Sequence, residues 1–129
     1  MTASHGLRAL FLVNALGCLL AAVVLVALPS AIPAAIGIAV APDQYMVPRL
    51  LGAAELAIAT VCIAAVLRPI RDTWVVCVAM LVVFHSGSIL AGAMELASHG
   101  NIVVVANLTV RAAIVLALMW LAGRPSLRR

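Results

Sequence analysis

Leu7–Leu28 reads LRALFLVNALGCLLAAVVLVAL, 22 residues whose only charge is Arg8 near the leading edge. At 1.5 Å per residue a helix of about 20 residues crosses the roughly 30 Å hydrocarbon layer of a bilayer. Pro29 then stops the run. A secretory signal is the rival reading, because Arg8 supplies a basic flank and small residues lie near the end. Its apolar region is typically only about 7–15 residues long, however. Leu7–Leu28 is therefore expected to be kept as a membrane span.

Three more runs of similar length follow. They cover about Arg49–Leu67 after Pro48, Thr73–Met94, and Asn101–Ala122 before Gly123 and Pro125. Hydrophobic residues make up 67% of the 129-residue chain and charged residues 9%, and the mean hydropathy is +1.27. Soluble domains carry about 25% charged residues. The expected fold is all-α: a single transmembrane domain, residues 1–129, forming an antiparallel four-helix bundle. Short connections make successive helices antiparallel neighbours.

The net charge is +4, but the basic residues sit at span ends and no aromatic platforms accompany them, so nucleic acid is excluded as a partner. Their placement instead predicts orientation. Arg8, Arg68, Arg71, Arg124, Arg128 and Arg129 share one side, whereas the other has Arg49 beside Asp43 and Glu95. Arginine bias in short loops puts both termini in the cytoplasm, which predicts a multi-pass protein of the plasma (cell inner) membrane. Trp74 and Trp120 fall at the cytoplasmic span ends and Tyr45 near the outer boundary, as interfacial aromatics do. The tail arginines Arg124, Arg128 and Arg129 could hold anionic lipid headgroups, and a topology signal explains them equally well. Between the first two spans, residues 31–41 are apolar but too short to cross. Ile32, Ile36 and Val40 recur every four residues, which suits a helix lying on the membrane surface; a re-entrant segment is the alternative.

Ionisable groups inside spans usually face protein and find partners. Glu55, His85 and Arg111 lie on three different spans, and counting helical rise from the outer boundary brings them to one layer in the outer half. Asn107 sits one turn above Arg111 on the same face and joins them. Asn14 counts as nearer the cytoplasmic side and is left out. Gly52 with Glu55, and Ser88 and Gly92 with His85, share stripes of small residues that allow close helix approach. Glu55 and Arg111 are expected to form an interhelical ion pair with His85 and Asn107 in hydrogen-bonding range. Two meanings stay open: a pair that sets helix register, or a polar pocket on the outer leaflet for a lipid headgroup, quinone or ion. His85 has no second histidine at its depth, so a neutral hydrogen-bonded imidazole is expected rather than a haem or metal ligand. Cys18, Cys62 and Cys77 form no CxxC and read as small packing residues.

Arg49-Leu-Leu-Gly-Ala-Ala-Glu55-Leu, followed by the basic turn Arg68-Pro-Ile-Arg71, resembles the DoxX-like group of small four-helix membrane proteins over about half the chain. Members often carry Gly-x-x-Glu-Leu early in the second helix, and Gly52 and Glu55 match it. The resemblance implies a four-helix bundle, and some relatives are linked to quinone or redox complexes. No phosphate loop, metal-ligand set or nucleophile–base pair occurs, so no enzyme activity and no obligate cofactor are expected. The leading expectation is a non-catalytic accessory subunit docked on a larger integral membrane complex, such as a transporter or respiratory assembly. The alternative is a DoxX-like protein that binds quinone or lipid in the polar pocket. A channel would need a continuous polar path, and the inner half offers only Asn14, Thr60 and cysteines.

Overall fold

The computed structural model describes residues 2–98 and 100–123, all of whose regular structure is helical. Four long helices, α1 (Thr2–Ala27), α3 (Met46–Leu67), α4 (Arg71–Ser98) and α5 (Ile102–Ala122), are joined by short connections and one longer loop holding α2 (Ala31–Ala35). All four are long and apolar enough to cross a membrane. They form a ring in chain order: α1 packs on α3, α3 on α4, α4 on α5, and α5 returns to α1. Contact is most extensive within the hairpin-like pairs α1–α3 and α4–α5, and sparser where one pair meets the other.

The observed bounds exceed the expected ones at four ends, one of them the start of α4 at Arg71 rather than Thr73. Helix α1 starts at Thr2 rather than Leu7, α3 at Met46 rather than Arg49, and α4 runs to Ser98 rather than Met94. Pro48 does not precede α3 but sits in its first turn, where a missing N–H costs nothing because the first four amides lack intrahelical partners. Glu95 does not end α4, since a helix continues past the apolar layer without penalty once its backbone bonds stay internal. Residues 31–41 depart further from expectation. Instead of one amphipathic helix, α2 has five residues and the chain then turns at Gly37, whose φ is +85°. Beyond it comes a 3-10 turn over Pro42–Gln44. Ile32, Ile36 and Val40 still share a face, lining a groove of about 460 Å³ against Leu25, Val47 and Leu51.

The core fills the half of the bundle that holds the start of α1, the end of α5 and the α3–α4 turn. Leu7, Phe11, Cys62, Cys77, Leu81 and Leu118 are there wholly buried. The end of α3 is tied off thoroughly. Its last carbonyls have no partners within the helix. Arg68 N donates to Ala64 O at 2.8 Å, Trp74 Nε1 to Ala65 O at 2.8 Å, and Arg8 Nη2 to Val66 O at 3.2 Å. The Trp74 ring also meets Phe11 edge-on at 6.2 Å. Arg8, read from sequence as a topology signal, thus also caps a neighbouring helix.

The small-residue stripes behave unequally. A Cβ on Gly52 would lie 3.2 Å from Ala22 O and 3.1 Å from Leu25 Cβ of α1, so this glycine sets the α1–α3 separation. A Cβ on Gly92 would meet Leu108 Cδ2 of α5 at 2.8 Å, the movable end of a side chain. Ser88 takes no part in interhelical bonding of this kind: its hydroxyl donates to Phe84 O of its own helix at 2.8 Å.

Candidate functional site

At mid-height the core gives way to a cavity of about 490 Å³ between α1, α4 and α5, with Glu55 of α3 in its wall. All but one of the polar groups involved lie near the middle of their helices; Asn107, five residues from Ile102, sits about one turn nearer that end. Asn14 is 13 residues from Ala27, His85 is 13 from Ser98, and Glu55 and Arg111 are each nine from the start of theirs. At 1.5 Å per residue that leaves each about 13 Å or more from any helix end. The layer is therefore central along the helices and not displaced to one half.

Asn14, which the sequence reading left out, is the group that joins α1 to this layer. Its Nδ2 donates to Leu10 O at 2.9 Å, leaving Oδ1 to meet His85 Nε2 at 2.8 Å. On the other side of the ring, Arg111 Nη1 lies 3.3 Å from His85 Nδ1. A guanidinium can only donate, so Nδ1 must accept, and Nε2 must carry the proton it gives to Asn14. The donor set thereby assigns His85 as the neutral Nε2–H tautomer, as expected of a lone intramembrane histidine. Arg111 Nε completes the chain by donating to Asn107 Oδ1 at 2.6 Å. Its charge also lies 5.3 Å from the centroid of the Phe84 ring, a cation–π distance. Polarity thus runs one way through three helices, from Arg111 through His85 and Asn14 to the Leu10 carbonyl.

The expected Glu55–Arg111 ion pair does not form. The only acid lining the cavity is Glu55, and its carboxyl is met by the Cys18 thiol, while Arg111 turns to Asn107 and His85. Both charged side chains line the same cavity, with Glu55 only 6% exposed. Glu55 and Arg111 belong to α3 and α5, which lie diagonally in the ring. A diagonal can be bridged, as His85 of α4 and Asn14 of α1 do, but each of the two charged groups has another partner: Asn107 and His85 for Arg111, and the Cys18 thiol for Glu55.

Among the expected site residues, Asn107, Arg111 and His85 are joined directly, Glu55 faces them across the cavity, and Gly52 and Gly92 hold the two hairpin pairs. The expected headgroup ligands Arg124, Arg128 and Arg129 lie outside the described residues. The cysteines divide. Cys18 lines the cavity, whereas Cys62 and Cys77 are in the core with their Sγ atoms 3.9 Å apart. No three-residue set of His, Cys, Asp or Glu with metal-binding geometry occurs among the described residues.

The remaining walls are apolar. Val13, Gly17 and Ala21 of α1 face Val103, Ala106, Val110 and Ile114 of α5, and most of these are exposed at the helix surface. The cavity therefore opens sideways through the loosely packed α1–α5 seam, toward whatever surrounds the bundle. In a bilayer that is lipid. No protein-family model, curated protein or solved structure matches the chain.

Proposed function

We propose that this chain is a multi-pass plasma-membrane protein, with cytoplasmic termini, that binds a small amphiphile such as a quinone or lipid. Its ligand would enter from the hydrocarbon through the α1–α5 seam. One observation carries this reading: a cavity of about 490 Å³, within the usual range of about 300–1,000 Å³ for ligand sites, combines an apolar lateral mouth with a polar inner wall. Maintaining Glu55 and Arg111 unpaired in hydrocarbon is expensive, and a register-setting pair would have been closed rather than separated by a cavity. Amphiphile binding also fits the DoxX-like resemblance, proposed on Gly52 and Glu55.

Gly17 provides the test. A Cβ there would meet nothing within 4 Å, so Gly17→Phe should fill the cavity while leaving the packed interfaces alone. Wild-type protein extracted with its surrounding bilayer is expected to retain a lipophilic compound enriched over the bulk membrane, detected by mass spectrometry of the organic extract. Gly17→Phe should fold normally and lose it. A wild-type extract with bulk composition only, or full retention by the variant, would overturn the reading.

Docking as an accessory subunit is the second proposal. Helix α5 supports it, since Val104 and Leu118 are its only buried residues and 11 of its 21 residues are exposed, most of them apolar. Stoichiometric co-purification of a larger membrane protein in gentle detergent, lost on placing bulky polar residues along the exposed face of α5, is the expected result.

A further inference from the structure

We infer that the cavity selects for ligands of zero net charge, because Glu55 and Arg111 act as a separated charge pair that counts the ligand's charge. The inference rests on the amphiphile-binding reading above and adds the chemical class: a single-chain amphiphile whose head offers an acceptor to Arg111 and a hydrogen-bond donor to Glu55. Glu55 and Arg111 are the only formally charged residues in the lining. His85 is held neutral by its two contacts, since Nδ1 faces a donor and Nε2 faces an acceptor. Asn14, Asn107 and the Cys18 thiol complete the polar wall without charge. The empty site therefore balances internally, one cation against one carboxylate. No ion pair cancels them locally, and Glu55 is more than nine-tenths buried. A ligand bearing net charge would leave one uncompensated charge in a low-dielectric layer far from water, where compensation matters most. The depth also argues against an ordinary phospholipid headgroup, which stays at the interface while Asn14, Glu55, His85 and Arg111 lie about 13 Å or more from the helix ends.

The rule predicts that each single neutralisation redirects selectivity, and in opposite directions. In Glu55→Gln the cavity holds an unbalanced cation and should favour an anionic amphiphile. In Arg111→Gln it holds an unbalanced carboxylate and should favour a cationic one. The experiment compares three probes of equal chain length, 1-monolaurin (neutral, donor and acceptor), laurate and dodecylammonium. Each competes with radiolabelled monolaurin for protein in phosphatidylcholine nanodiscs, at equal mole fraction and at a pH where both ions are charged. Wild type is expected to prefer monolaurin by about tenfold or more, the change produced by one unbalanced interaction of about 1.4 kcal/mol. Glu55→Gln should shift toward laurate and Arg111→Gln toward dodecylammonium by similar factors. The wild-type ranking tests the rule even where a variant fails to fold. A wild type that prefers either ion, or variants whose preferences move together, would overturn charge selection while leaving amphiphile binding intact. If no probe binds saturably to wild type, the binding reading itself fails and the charge rule falls with it.

Discussion

Gly52→Leu is expected to abolish the assembled bundle, with the folded fraction in mild detergent falling well below wild type. Close helix approach is what stabilises association in lipid, where no hydrophobic force drives one apolar helix onto another. At Gly52 the opposing surface is the α1 backbone itself, with Ala22 O only 3.2 Å from the position of a new Cβ and Leu25 Cβ at 3.1 Å. Neither atom can move without displacing α1. Overpacking typically costs about 1–3 kcal/mol and more where the neighbours are rigid, and α1–α3 is the most extensive interface in the molecule. Gly92→Ala is the internal comparison. Its nominal clash is closer, 2.8 Å, but falls on Leu108 Cδ2, which can change rotamer. We expect that variant to lose less than about 1 kcal/mol. Reversible unfolding of both variants in micelles checks the contrast, and equal losses would show that α1 yields as readily as a leucine side chain.

Asn14→Leu is expected to destabilise the fold by about 1–3 kcal/mol, the cost of stranding a buried donor. Leucine matches the shape of asparagine but cannot accept from His85 Nε2, now 2.8 Å from Asn14 Oδ1. The loss should spread beyond one bond. With Nε2 unpartnered, Arg111 is the one group left holding the ring through Nδ1, so the arginine's contact loosens as well. Asn14→Leu combined with His85→Leu should therefore cost less than the sum of the two single changes, the mark of residues acting as a unit. A double variant whose loss equals that sum, measured by unfolding, would show that the chain of hydrogen bonds does not act together.

Asn14 also shows why the site was only partly legible in the sequence. The apolar run begins at Leu7, which leaves Asn14 nearer the cytoplasmic end, but α1 starts at Thr2. With five more residues before it, Asn14 lies near the middle of its helix and meets His85. Apolar runs report where hydrocarbon begins, whereas a helix ends where its backbone bonds can no longer be closed internally. The same distinction hid the extension of α4 to Ser98 and put Pro48 outside α3. Residues 31–41 failed for a different reason: a four-residue spacing of isoleucine and valine fits both a helix and a folded loop, and Gly37 decided for the loop.

The four long helices, their order and the identity of the residues that would be costly in lipid followed from sequence alone. Apolar length and helical rise are local quantities, and intramembrane charges are conspicuous wherever they occur. Which of those residues meet was settled by tertiary structure. Arg111 turns to Asn107 and His85, so Glu55 and Arg111 face each other across a cavity instead of pairing, whereas Asn14 and His85 meet directly. Depth along a helix can be counted from the sequence. The direction in which a side chain points, and the helix it finds there, depend on how four helices of nearly uniform apolar surface choose their neighbours, and close-packing sites such as Gly52 make that choice only in three dimensions.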